Sequence, residues 1–259
     1  MTSVGLVVIA TGSYQQFLPK LISSAERFLA GLTAVYVISD RRPELDTSVA
    51  LHWLPWGHTD WPYPTLLRYR AMTAYSAKLS GVDFLLHIDA DMEFVGPVNL
   101  AAVSDTFAVL HPGFAGKDRS LYPYESRLSS SAYIKPSSGL KYVAGGVQGG
   151  RTLAYLDACS MMAAWIQQDL DNGLIPVWHD ESIWNKYCCE YPLVAILGSE
   201  YCRPDYDPGL SPRILALSKD HDRVRGISSV GRLKRSAERA RRKARSYLVV
   251  IYRTVSGRS

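Results

Sequence analysis

No apolar run in this 259-residue chain reaches the roughly 20 residues that a bilayer-spanning helix needs. The opening, Met1-Thr2-Ser3-Val4, carries no basic region, and the apolar run after it breaks at Thr11-Gly12, so it does not read as a signal peptide. Cysteine is scarce. Cys159, Cys188, Cys189 and Cys202 show neither zinc spacing nor the pattern of a small secreted framework, and reduced thiols in a cytosol are the expectation. Acidic residues are nearly missing from residues 227–259, where Glu238 alone faces ten Lys and Arg. That segment carries +9 of a chain total of +5, which leaves the body mildly acidic at −4. The body is otherwise ordinary: 47% hydrophobic and 20% charged residues suit a globular protein with one large domain or two small ones.

What is present centres on residues 83–94, Asp-Phe-Leu-Leu-His-Ile-Asp-Ala-Asp-Met-Glu-Phe. An apolar run of strand type ends in Asp89 and Asp91, one residue apart, which a continuous strand would project to one face. Ligands of open α/β sheets bind at the carboxyl ends of strands. Two hard oxygen donors there suit Mg²⁺ or Mn²⁺, and such a cation suits a diphosphate. A polar turn is the competing reading of a bare Asp-x-Asp.

Around this stretch strands and helices alternate. Residues 5–10 read as a buried parallel strand, 14–32 as a helix, 34–40 as a second strand and 49–54 as a third. A loop rich in Trp and Pro spans 53–64, and a helix capped by Thr65 is expected over 65–79. Another strand falls at 107–110, followed by a long polar loop over 117–140 of the length usual for lids. Residues 141–150 hold four glycines, which permit positive φ or close approach of the backbone to a ligand, but they match no nucleotide fingerprint. Thr152 is a candidate cap for a helix with Leu153, Leu156, Cys159, Ala163, Ile166 and Leu170 on its apolar side, stopped at Asn172-Gly173. Trp178-His179-Asp180-Glu181 precedes a helix over 182–190, and a short strand falls at 194–197. The alternation predicts an α/β fold.

In order along the chain, Asp89-Ala90-Asp91-Met92-Glu93-Phe94, Leu110-His111-Pro112-Gly113-Phe114, Tyr124-Glu125-Ser126-Arg127 with Ala132-Tyr133-Ile134, and Trp178-His179-Asp180-Glu181-Ser182 with Asn185-Lys186-Tyr187 form a specific combination. It resembles the family 6 glycosyltransferases, which include the blood-group A and B transferases, α1,3-galactosyltransferase and Forssman synthase. The resemblance implies a GT-A fold, a Rossmann-like mixed sheet flanked by helices, as a single catalytic domain over residues 1–226. It also implies retaining α1,3 transfer of GalNAc or Gal from a UDP-sugar to a galactose-terminated glycan, with or without fucose. Position by position, Asp89 and Asp91 match the metal-binding pair, with Mn²⁺ or Mg²⁺ as cofactor; relatives that lack these aspartates work without metal, so metal dependence is expected here. Ile9 and Tyr14 fall where the family packs uridine, Arg68 where it braces the first aspartate and the donor sugar. Lys219, His221 and Arg225 match a basic segment that closes over the diphosphate. Glu181 matches the catalytic carboxylate, acting either as a nucleophile or by stabilising positive charge. Asp180 would hold donor hydroxyls, while His111, Trp178 and Glu181 would border the acceptor. Ala144 and Gly146 occupy the two positions that tune donor choice, and the room at Gly146 favours UDP-GalNAc over UDP-Gal.

The departures fall on the acceptor side. Pro123 replaces an acceptor-contacting threonine, and the family's Leu-Trp-Asp is lost near Cys202, although Asp205 lies one residue beyond its place. Two rivals remain at this level: a phosphohydrolase of the haloacid-dehalogenase type, disfavoured by Glu93, and a glycan- or nucleotide-binding relative without activity. In the basic tail, Val230, Leu233, Ala237, Ala240, Ala244, Tyr247 and Ile251 recur at spacings of three and four, which predicts an amphipathic helix over 227–259. A solvated helix and attachment to an anionic membrane surface are its two main readings. No aromatic interleaving supports nucleic-acid binding. The expected setting is the cytoplasm, with the tail holding the enzyme at the inner face of the membrane in place of an N-terminal anchor.

Overall fold

Strands rich in Val, Ile and Leu with few polar breaks bury on both faces, and the first stretches of the chain do so. In a computed structural model, residues 2–100, 103–139, 141–220 and 224 are described. β1 (Val4–Ile9) is followed by a 3₁₀ turn (Gly12–Phe17), α1 (Leu18–Phe28), β2 (Leu32–Ser39) and β3 (Ala50–Pro55). Three short helices come next, α2 (Tyr63–Leu66), α3 (Arg68–Ala74) and α4 (Ser76–Leu79), then β4 (Phe84–Asp89), β5 (Met92–Phe94) and β6 (Thr106–Leu110). β7 (Val143–Arg151), α5 (Thr152–Asp171), α6 (Asp180–Glu190), β8 (Ala195–Leu197), β9 (Arg203–Pro204) and β10 (Ile214–Ala216) complete the unit.

The main sheet has the order β3-β2-β1-β4-β7-β6-β8, and β5-β10-β9 form a second, three-stranded sheet. β7 alone runs against its neighbours β4 and β6, so the sheet is mixed. Period-two alternation divides the core. Val4, Leu6 and Val8 of β1 and Phe84, Leu86 and Ile88 of β4 pack toward α1, whereas Val7 and Leu85 pack toward α3, α5 and α6. This is the GT-A-like arrangement of a sheet between helical layers.

Several local expectations are corrected. The first helix starts at Leu18 instead of residue 14, because Pro19 suits only a first turn and Gly12 takes φ +57 ahead of it. It ends at Phe28, and Gly31, at φ +77, turns the chain so that Leu32 already pairs with Val4. The helix over 65–79 is broken at Leu67 and Tyr75; Pro62 caps its first piece, and Thr65 instead donates to the Pro62 carbonyl at 2.9 Å. The glycine-rich run is a buried strand, with none of its glycines at positive φ. Its glycines serve close packing: a Cβ on Gly149 would stand 2.1 Å from the Leu85 carbonyl oxygen. Thr152 lies inside the first turn of α5 and donates to the Val82 carbonyl at 2.7 Å, while Leu153 is 70% exposed.

The long loop over 117–140 is tied down. Asp169 of α5, fully buried, accepts Ser130 Oγ and the Ser131 N–H, both at 2.6 Å, and Arg119 donates to the Ser138 carbonyl at 2.8 Å. The four cysteines are unpaired. Among the described residues no helix is long and apolar enough to cross a membrane. Lys219–Ser259 forms a separate unit described only at Lys219, Asp220 and Val224; His221, Arg225 and the predicted helix over 227–259 lie outside the described residues.

Candidate active site

β1 hands the chain to β2 on one side while β4 docks on its other side, so a crevice opens beyond the carboxyl ends of β1 and β4. Ile9 and Asp89 sit side by side there as the last pair of that ladder, with Ile38 of β2 on the other flank of Ile9. The turn after β1 is fixed by a hydrogen bond from the Gly12 N–H to Asp40 Oδ1 at 2.8 Å. Tyr14 follows, half-buried, with its ring 6.1 Å from that of Phe17. The side chain of His58, after β3, lies against Gly12.

β4 stops at Asp89. Ala90 and Asp91 turn the chain away into β5, so the two aspartates are not residues of one continuous strand, as the sequence suggested. Asp89 is partly exposed and Asp91 is buried, with its carbonyl accepting the Leu217 N–H at 2.8 Å just after β10. The small sheet thus anchors the aspartate turn from outside the main sheet.

Arg68, 4% exposed at the start of α3, ties the carboxylates together. One terminal nitrogen donates to Asp89 Oδ1 at 2.9 Å and the other to the Gly145 carbonyl at 2.6 Å. Its Nε stands 3.0 Å from Asp180 Oδ2, an ion pair without hydrogen-bond alignment. Burial pushes the Asp180 carboxyl up to about 7 against the pull of Arg68, with Asp89 and Glu181 pushing the same way. Beneath Arg68, His87 is 1% exposed and is held neutral, its pKa lowered to about 3 by burial and by the neighbouring guanidinium. Burial also raises the Cys202 thiol to about 12, and the charges of Asp89, Glu181 and Asp91 add to that shift, so the three carboxylates act on one place.

β7 supplies the opposite wall. Its ladder with β6 jumps from Gln148 to Ala144, so residues 145–147 bulge away from β6 while Val147 and Gln148 stay paired to β4. Inside that bulge the Gly145 carbonyl takes Arg68 and also Gln148 Nε2 at 2.8 Å, and the Gly145 N–H donates to Glu181 Oε2 at 2.9 Å. Glu181 Oε1 accepts the Tyr142 hydroxyl at 2.7 Å. A Cβ at position 146 would come 2.9 Å from Asp89 Oδ2 and 2.7 Å from Met92 Cε, so Gly146 lies directly against the first aspartate. Ala144 is buried beside it.

α6 begins two residues earlier than expected, with Asp180 and Glu181 in its first turn, where the helix dipole favours negative charge. Asn185, one turn on, donates to the carbonyls of Val143 and Glu181 and accepts the Val143 N–H, all at 2.9 Å. That side chain locks α6 to β7. His179 precedes the helix at φ +54 and ψ −125, a conformation that costs a non-glycine residue of order 1–3 kcal/mol. Its ring meets Trp61 edge-on at 4.8 Å.

The outer rim is aromatic. His111, half-buried after β6, packs 5.0 Å from Phe114 and 5.7 Å from Tyr142, and burial lowers its pKa. Tyr122 and Tyr124 complete the cluster around Tyr142. Trp178 is 49% exposed at the far side.

The structure therefore brings together Ile9, Arg68, Asp89, Asp91, Ala144, Gly146, Asp180 and Glu181, with His111 reached through Tyr142, Tyr14 on the turn after β1 and Trp178 just ahead of α6. Lys219 belongs to the separate unit. Sequence reasoning missed the contacts of Tyr142, Gly145 and Gln148, which lie in the glycine-rich run, and of Asn185, which lies in the Asn185-Lys186-Tyr187 motif. Asp205 accepts both the N–H and the hydroxyl of Ser218.

The family model for glycosyltransferase family 6 matches residues 1–226. Histo-blood group ABO system transferase 1 of Rattus norvegicus is 30% identical over 239 residues, covering 86% of this chain and 69% of the rat protein. Globoside alpha-1,3-N-acetylgalactosaminyltransferase 1 of Homo sapiens is 30% identical over 219 residues, covering 80% of this chain and 62% of its own length. The O-antigen biosynthesis glycosyltransferase WbnI of Escherichia coli is 27% identical over 228 residues, covering 85% of this chain and 96% of WbnI. The chain thus spans less than two thirds of the human relative and nearly all of the bacterial one. With the sheet, the carboxylate crevice and this match in agreement, the chain belongs to glycosyltransferase family 6.

Proposed function

We propose that this glycosyltransferase moves GalNAc, or Gal less readily, from a UDP-sugar in α1,3 linkage and with retention onto a galactose-terminated glycan, plain or fucosylated. The observation that carries the reading is the unbroken chain of contacts from Asp89 through Arg68 and the Gly145 backbone to Glu181, which sets a leaving-group site and a carboxylate in fixed relation.

Asp89 and Asp91 fit a divalent cation by their chemistry. Among the described residues no group of three or more His, Cys, Asp or Glu could cage a metal alone. Two carboxylates at the mouth of a crevice suit Mn²⁺ or Mg²⁺ when a diphosphate and water complete its shell. Such an ion, when bound, neutralises the diphosphate and improves UDP as a leaving group.

The protein's own groups supply the rest. Arg68 fixes the Asp89 carboxylate and places its charge beside the donor sugar, while Asp180, held beside it, faces the sugar hydroxyls. Glu181 is held by one donor on each oxygen, and each oxygen keeps a further lone pair for the sugar. It serves the anomeric carbon either as a nucleophile or by stabilising oxocarbenium charge. His111 and Trp178 border the acceptor.

Transfer from UDP-GalNAc and UDP-Gal to a β-galactoside, read with and without excess EDTA and with a Glu181→Gln variant, tests this reading. Product is expected only with metal, and at a rate reduced at least about a hundredfold in the variant. Undiminished activity in EDTA would reject the metal site; near-normal transfer by Glu181→Gln would reject both roles of that carboxylate.

A further inference from the structure

Glu125 takes no part in the site above, yet it is 2% exposed and its carboxylate accepts four hydrogen bonds. Three come from Arg127: the backbone N–H at 3.0 Å and two guanidinium nitrogens at 2.9 and 2.6 Å. The fourth comes from the Val177 N–H at 2.9 Å, on the connection between α5 and α6. The same guanidinium reaches the Ile175 carbonyl at 2.7 Å. Two residues of the long loop therefore grip both edges of residues 175–177, immediately before Trp178.

Besides these contacts the connection is held by the Leu174 N–H on the Asp169 carbonyl at 2.8 Å, by the His179 N–H on the Pro176 carbonyl at 2.9 Å and by Ile175 against the core. It leaves α5 at Gly173, with φ +67, and re-enters helix through His179, also at positive φ. The Trp178 N–H is taken by Ser182 Oγ at 2.9 Å, which fixes its backbone to α6, and its side chain stands 49% exposed. A large exposed aromatic on a short segment between two turns at positive φ keeps one orientation only if the segment is clamped, and the forked contact of the half-exposed Arg127 on a buried carboxylate is such a clamp.

We propose that Glu125 and Arg127 are positioning residues for the acceptor, holding residues 175–177 so that Trp178 is presented to the incoming sugar. The proposal rests on the reading of Trp178 as part of the acceptor rim. It assigns a purpose to the Tyr124-Glu125-Ser126-Arg127 stretch, and it explains why the 117–140 loop is pinned and not free.

A double-mutant cycle tests it, with initial rates measured against lactose as acceptor and UDP-GalNAc as donor for the wild type, Arg127→Ala, Trp178→Ala and the double variant. Arg127→Ala is expected to raise the acceptor KM about tenfold while the donor KM stays within about twofold. In the Trp178→Ala background the same change is expected to add less than about twofold, because it acts through Trp178. Arg127→Ala without effect beside a responsive Trp178→Ala overturns the positioning role and leaves the acceptor reading standing. An undiminished effect in the double variant, or an equal loss in donor KM, also overturns it, since both mark a general structural role. Trp178→Ala without effect refutes the acceptor reading of Trp178 and this proposal with it. If Arg127→Ala fails to fold, Arg127→Lys, which keeps the charge but loses the fork, is read by the same criteria.

Discussion

Replacing Tyr142 by phenylalanine removes one oxygen atom from the centre of the site. The ring is 1% exposed and packs against His111, Phe114, Tyr122 and Tyr124, with centroids 5.7, 4.9, 6.0 and 5.4 Å away, and phenylalanine keeps all four contacts. What is lost is the hydroxyl donating to Glu181 Oε1 at 2.7 Å. Burial and the adjacent Glu181 charge raise the Tyr142 pKa, so this group remains a donor throughout the working range of pH. A hydrogen bond to a charged acceptor contributes about 1.5–3 kcal/mol. Glu181 is only half-buried, and water replaces part of the bond, which places the loss near the lower figure, about 1.5 kcal/mol. At about 1.4 kcal/mol per decade that is roughly a tenfold fall in kcat. The donor KM should stay within about twofold, because the Arg68 contacts to Asp89 and Gly145 do not involve Tyr142. UDP release measured against donor and acceptor concentration, on protein of unchanged melting temperature, gives both numbers. A kcat within twofold of wild type, or a donor KM that moves more than kcat, would refute the assignment of Tyr142 to Glu181.

Gly146→Ala places a methyl 2.9 Å from Asp89 Oδ2 and 2.7 Å from Met92 Cε; the methionine can swing aside, whereas the carboxylate is held by Arg68. The ratio of GalNAc to Gal transfer should fall by roughly tenfold or more, as one methyl in a fitted pocket does, and an unchanged ratio would end the donor-pocket reading of Gly146. Glu125 gives a prediction in pH: Arg127 and the Val177 N–H, against the opposing effect of burial, lower its pKa from 4.5 to about 2. Its stabilisation is therefore complete above about pH 4.5 and is lost as pH falls toward 2. Urea unfolding should show Glu125→Gln about 2 kcal/mol less stable than wild type at pH 6, after discounting for the half-exposed Arg127, with the gap narrowed to roughly half by pH 3. Equal gaps at the two pH values would show that the charge is not what matters there.

Much of this was legible because it was local. β1 and β4 are apolar runs that announce buried strands, and Asp89, Asp180 and Glu181 sit in short motifs that survive without tertiary context. The helix breaks at Leu67 and Tyr75 carry no sequence signal of their own, since neither residue is a helix breaker. β9 and β10, two and three residues long, are too short for any periodicity, yet β10 holds the aspartate turn through Leu217. The continuous strand expected through Asp91 failed because no Gly or Pro marks a break within residues 84–94, while the ladder with β1 ends at Asp89 and the one with β10 begins at Met92.

The glycine run shows most clearly why a residue-by-residue reading stopped short. The family resemblance points to Ala144 and Gly146 as pocket walls and is silent on Gly145 between them. Its backbone nevertheless joins the two halves of the site, with its carbonyl on Arg68 and its N–H on Glu181. A Cβ there would stand 3.2 Å from Glu181 Cβ and 3.3 Å from Asp180 Oδ2, so even alanine would be in tight contact with the first turn of α6. The bulge over 145–147 is what turns these backbone groups out of the ladder with β6 and toward the carboxylates. Asp89 and Glu181 are therefore held in relation through the Gly145 peptide and the buried Arg68 side chain. A side chain at position 146 presses on the Asp89 end of that bridge, whereas one at position 145 presses on its Asp180 and Glu181 end.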